Sequence, residues 1–78
     1  PVGMFCAIAH PEYFRRTLEH LGFTVVSEYI LPDHDSIREK DLEQFAQKSL
    51  KKGAAWLICT EKDRVKLVPE LSITLPIA

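Results

Sequence analysis

Two apolar runs that do not alternate, Met4 to Ala9 (Met-Phe-Cys-Ala-Ile-Ala) and Ala54 to Cys59 (Ala-Ala-Trp-Leu-Ile-Cys), constrain this chain more than any other feature. A strand covered on one face alternates apolar and polar residues. A strand covered on both faces reads as a continuous apolar run, the habit of parallel sheets clad by helices. Phe23 to Leu31, rich in β-branched and aromatic residues, makes a further strand, with Glu28 placing one end near solvent. Two helical patterns separate the three strands. His10-Pro11-Glu12 opens the first, because proline suits the first helical position and an acid suits the positive end of the helix dipole. Phe14, Leu18 and Leu21 then share a face, and Gly22 closes the helix as a left-handed C-cap. Pro32-Asp33-His34-Asp35-Ser36 breaks regular structure, and Ser36 with Glu39 satisfies a capping box for a second helix reaching about Lys51. Leu42, Phe45, Ala46 and Leu50 form its apolar face and Gly53 lies beyond its end. Trp56 falls within the third strand and is expected in the core. After Thr60-Glu61-Lys62-Asp63 comes a short amphipathic piece, Arg64 to Leu67, that Pro69 curtails, and Ser72 to Leu75 is expected as a fourth strand.

Strand, helix, strand, helix, strand predicts an α/β fold: a small Rossmann-like layered domain, its mostly parallel sheet of about four strands packed against helices. The 78 residues leave room for one domain, and a chain this size buries only about 60% of its unfolded surface. Its stability is expected to be thin without a neighbour, and its opening on Pro1-Val2-Gly3 suggests a piece of a longer protein. A hydrophobic share of 46% with 27% charged residues suits a folded chain. Ten basic against eleven acidic residues give a net charge of -1, so no field draws it onto nucleic acid. Cys6 and Cys59 lie far apart inside apolar runs, which suits buried reduced thiols better than a disulfide, a zinc site or a redox pair. No apolar stretch approaches the roughly 18 to 20 residues that span a bilayer.

In parallel sheets ligands collect beyond the carboxyl ends of the strands. Ala9-His10-Pro11, Pro32 to Ser36, and Thr60 to Asp63 fall there. Asp33-His34-Asp35 sets an imidazole between two carboxylates, which favour its cation, ahead of a helix N-terminus, which favours the neutral ring. On spacing alone the simpler reading is that Asp33 or Asp35 forms an Asx-turn or helix cap, with His34 in a surface loop. Thr60-Glu61-Lys62-Asp63 reads either as a threonine N-cap with acids in the first turn or as a polar lip facing a ligand. His10 and His20 complete no metal set. A GxxxxGK[ST] loop, GxSxG elbow, HExxH, CxxC and dinucleotide glycine pattern are all missing, so the segment carries no complete catalytic constellation.

Four blocks in register, Ala7-Ile8-Ala9-His10-Pro11-Glu12-Tyr13-Phe14, Leu18 with Leu21-Gly22, Leu31-Pro32-Asp33-His34, and Thr60-Glu61-Lys62-Asp63 with Val65-Lys66-Leu67, resemble the C-terminal part of the tetraacyldisaccharide 4'-kinase family, the lipid A kinases of Gram-negative bacteria. The resemblance implies transfer of the ATP γ-phosphate, with Mg2+, to the 4'-hydroxyl of tetraacyldisaccharide 1-phosphate at the cytoplasmic face of the inner membrane. It implies a P-loop in a larger N-terminal domain as the partner of this lobe, with the fragment inactive alone. His34 with Asp33 would face the nucleotide cleft in a supporting catalytic role, and Thr60, Glu61, Lys62 and Asp63 would line its edge, with no metal ligand among them. Where family members tend to show glycines after the first strand, this chain has Ala7 and Ala9. Asp35 and Ile37 stand where many carry a second histidine and an aromatic. The competing reading is a non-catalytic, flavodoxin-like binding or interaction module.

Overall fold

The computed structural model describes residues 1–33, 35–67 and 73–78. Three strands, β1 (Val2–Cys6), β2 (Val25–Ile30) and β3 (Trp56–Ile58), alternate with helices α1 (Pro11–His20), α2 (Glu39–Lys51) and α3 (Glu61–Arg64). The sheet order is β2-β1-β3 and both pairings are parallel, which makes this an α/β layered fold. Met4 stands opposite Glu28 on one side and Ile58 on the other. A register irregularity between Val2 and Gly3 skips Val26 on β2.

From β1 the chain moves one way to β2, then back past β1 to β3. Right-handed crossovers therefore lay α1 and α2 on opposite faces. The core divides accordingly. Val2, Met4, Cys6, Val25 and Ile58 pack with Leu18 of α1, whereas Phe5, Leu57 and Cys59 pack with Leu42, Phe45 and Ala46 of α2. Central β1 is buried along its whole length, which is why its sequence does not alternate. Gly22 (φ +96) and Gly53 (φ +92) follow the ends of α1 and α2 in the left-handed region. Both ends are Schellman motifs: Phe23 N donates to Leu18 O at 3.0 Å and Ala54 N to Ser49 O at 3.0 Å.

Several sequence expectations need correction. The sheet has three strands among the described residues rather than about four. Ser72 lies outside those residues, as does Pro69, and Ile73 to Leu75 form no strand. The chain instead returns beside β3 at Ile77, where Leu57 N donates to Pro76 O and Ala78 N to Leu57 O, both at 2.8 Å. The first strand stops at Cys6 rather than Ala9, because the amide of Ala7 leaves the ladder to donate to a side chain, Asp63 Oδ1, at 3.1 Å. The capping box of Ser36 and Glu39 does not form. Arg38 occupies the N-cap without a side-chain bond, and the Ser36 amide is taken by Asp35 Oδ1 at 2.8 Å. Trp56 is 48% exposed, not core, since β3 is an outer strand and α1, the crossover to β2, covers the opposite side of that face. Leu50 and Leu21 are likewise exposed, and Ser49 takes the buried place on α2.

The burial of Ser49 has a reason in β1. A Cβ at Gly3 would lie 2.5 Å from Ser49 Oγ and 2.9 Å from Leu57 Cδ2. Glycine thus lets α2 settle close enough to the sheet for the hydroxyls of Ser49 and Ser27 to share a buried hydrogen bond of 2.6 Å. Gly3→Ala is expected to lift α2 and to cost roughly 1–3 kcal/mol as an overpacked core. Urea unfolding should report a lower midpoint with an unchanged m-value; an unchanged midpoint would mean that α2 does not press on this position.

Candidate functional site

The strand order reverses at β1, and the rule for such sheets puts the ligand crevice at the carboxyl ends beside the reversal. A cleft of ≈ 440 Å³ opens there, lined by Ala7, Ile8 and Ala9 after β1, Asp33 after β2, and Lys62, Val65 and Lys66 after β3. All three strand ends contribute to one rim. Apolar walls with an acid and two lysines can neutralise an anionic group at one end and contact an apolar surface elsewhere.

The order after β3 comes from local capping. Thr60 ends the strand in extended backbone, and its Oγ1 accepts from the amide of Asp63 at 3.3 Å while donating to Asp63 Oδ2 at 2.5 Å. This is a capping pair closed on itself, with aspartate at the fourth position. The other carboxylate oxygen of Asp63 accepts from Ala7 N, across 56 residues of sequence. Asp63 is only 6% exposed, so one buried acid pins the turn after β3 to the turn after β1.

Asp33 and Lys62, both solvent-accessible, lie on the rim of the cleft. Thr60 and Asp63 are turned inward to the capping pair, and neither they nor Glu61 line the cleft. His34 lies outside the described residues. Lys66 belongs to the block Val65-Lys66-Leu67 that carries the family resemblance. Its ammonium donates to the Asp35 carbonyl at 2.9 Å, joining the β3 side of the cleft to the β2 side. Its spacing from Lys62, four residues, could have marked it, since such pairs share a helix face. Ile8, Ala9 and Val65 also line the cleft, and nothing in their residue types marks them for that role.

Beneath the rim sit the two free thiols, both buried. Burial, then the Asp63 charge and that of Glu28, push the Cys6 thiol from 9.0 up to about 11. Burial and Asp63 do the same to Cys59, also to about 11. Thiols held this far from ionisation are poor nucleophiles at neutral pH, and these two act as small apolar packing. Among the described residues no group of three His, Cys, Asp or Glu could hold a metal ion. No described helix is long and apolar enough to cross a membrane.

A profile of the family described as tetraacyldisaccharide-1-P 4'-kinase matches residues 1–77. The tetraacyldisaccharide 4'-kinase of Chlamydia pneumoniae is 42% identical over 80 residues, covering 99% of this chain and 22% of that protein. The kinase of the same name from Chlamydia trachomatis serovar D is 39% identical, covering 85% of this chain and 18% of that protein. For that of Syntrophus aciditrophicus the figures are 38%, 92% and 19%. The chain therefore spans about a fifth of the length of these relatives. No solved structure matches it.

Proposed function

This chain belongs to the tetraacyldisaccharide-1-P 4'-kinase family, and on that footing we propose that it is the lobe that closes over the nucleotide in a kinase acting on the 4'-hydroxyl of tetraacyldisaccharide 1-phosphate. The observation that carries this reading is the single cleft assembled from the ends of all three strands, with Asp33 and Lys62 on its rim. The P-loop would come from an N-terminal domain of the same polypeptide, working at the cytoplasmic face of the inner membrane.

ATP would supply the phosphoryl group to be transferred, and Mg2+, when bound with it, would supply positive charge to offset that of the phosphates. Phosphoryl transfer asks little covalent chemistry of a protein; positioning and charge neutralisation do most of it. Lys62 brings an ammonium to the phosphates as a compact point charge. Asp33 and its neighbour His34 supply a carboxylate and an imidazole that can orient the groups around the acceptor hydroxyl and steady its proton. The lining suits a nucleotide phosphate: the Lys62 ammonium would meet its charge, and Asp33, the acid among the described cleft residues, would be the group to hold an accompanying Mg2+. Thr60 and Asp63 serve by holding the Lys62 turn in place, and Glu61 adds an acid beside it.

The test is a phosphotransfer assay of the intact protein beside this segment alone, with ATP, Mg2+ and tetraacyldisaccharide 1-phosphate. Product from the intact protein and none from the segment is expected. An intact protein that folds and binds ATP but leaves the disaccharide unphosphorylated would refute the reading.

A further inference from the structure

We propose that Lys66 is a positioning residue that straps the loop between β2 and α2 to the turn after α3, and so sets where Asp33 stands on the rim; this rests on the kinase reading above. Between the described residues of the loop from β2 to α2, Asp35 N donates to Pro32 O at 3.0 Å and Asp35 Oδ1 accepts from the next amide, Ser36 N. The helix it leads into begins without a side-chain cap. Lys66 Nζ reaches the carbonyl of Asp35 across 31 residues of sequence, at 2.9 Å. The turn that carries Lys66 is itself fixed: Lys66 N donates to Asp63 O at 3.2 Å, and Asp63 is fastened to β1 through Ala7.

A chain of hydrogen bonds therefore runs from Ala7 through Asp63 and Lys66 to Asp35, two residues beyond Asp33. It links the three strand ends that border the cleft. Lys62 and Lys66 line the same cleft, and Lys66 has a carbonyl partner on its opposite side. Rate in a phosphotransfer site depends steeply on placement, and a group displaced by about 1 Å can cost up to about 100-fold. An exposed strap of one hydrogen bond should matter less than that, about tenfold.

The experiment compares Lys66→Met and Lys66→Arg with wild type in the intact kinase, reading hydrogen exchange at the amides of Asp35 and Ser36 together with steady-state kinetics. Lys66 is exposed, so neither variant is expected to disturb folding. Lys66→Met should speed exchange at both amides and lower kcat about tenfold with little change in KM for ATP, and Lys66→Arg should restore both. Unchanged exchange, or faster exchange with wild-type kcat, overturns the assignment. So does a raised KM for ATP without faster exchange, which would make Lys66 a phosphate contact instead. A wild-type enzyme without kinase activity removes the kinase reading and the positioning role with it, while the exchange data still decide whether the strap exists.

Discussion

Asp63→Ala is expected to cost about 3 kcal/mol of unfolding free energy, a large share of what a chain this small can hold. The aspartate accepts from Ala7 N and from Thr60 Oγ1, and both carboxylate oxygens are engaged in a nearly solvent-free place. Alanine leaves the Ala7 amide without its acceptor at the end of a fully buried strand, and it removes half of the capping pair. Hydrogen bonds to a charged group contribute roughly 1.5–3 kcal/mol, and an abandoned buried donor costs roughly 1–3 kcal/mol. Asp63→Asn keeps an oxygen for Ala7 and can donate its amide to Thr60 Oγ1, so it should fall between the two. Urea unfolding of the three proteins gives the order directly. Equal midpoints would mean that the bond between the two strand ends contributes nothing to stability.

On the proposed kinase reading, His34→Ala should lower kcat of the intact protein about 100-fold, within the range by which positioned acid–base groups contribute. The expectation follows from chemistry and from Asp33. The carboxylate preceding it stands on the cleft rim, and an imidazole in the following position can take up or direct a proton near neutral pH. The pH profile separates a chemical role from a structural one. A chemical role predicts that the profile of kcat against pH changes shape in the variant, whereas a structural role lowers it uniformly. Wild-type turnover from His34→Ala would remove the histidine from the mechanism and leave Asp33 and Lys62 as the groups to explain.

Much of this architecture was readable in the residues. The unalternating runs announced strands clad on both faces, and Gly22 and Gly53 marked helix ends that the structure closes in the left-handed region. The three loops expected beside a ligand do meet at one cleft through Ala9, Asp33 and Lys62. What escaped notice depends on contacts distant in sequence. Ser49 is polar, so apolar periodicity points to Leu50 in its place, and the approach of Gly3 explains its burial. Trp56 is apolar within an apolar run, but its exposure follows from strand order, which periodicity does not encode. Asp63 looked like a rim acid because its spacing from Thr60 is shared by surface caps and buried fasteners alike. The 56-residue reach to Ala7 decides between them.

The proposal that Lys62 stands beside nucleotide phosphates is tested most directly with an ATP analogue carrying a reactive acyl group on its terminal phosphate, which acylates lysines within reach. In the intact protein, peptide mass spectrometry should find Lys62 acylated and excess ATP should suppress the labelling, while Lys51 and Lys52 at the far end of α2 stay unmodified. Acylation that bypasses Lys62, or that ATP leaves undiminished there, would contradict the placement of this cleft at the nucleotide.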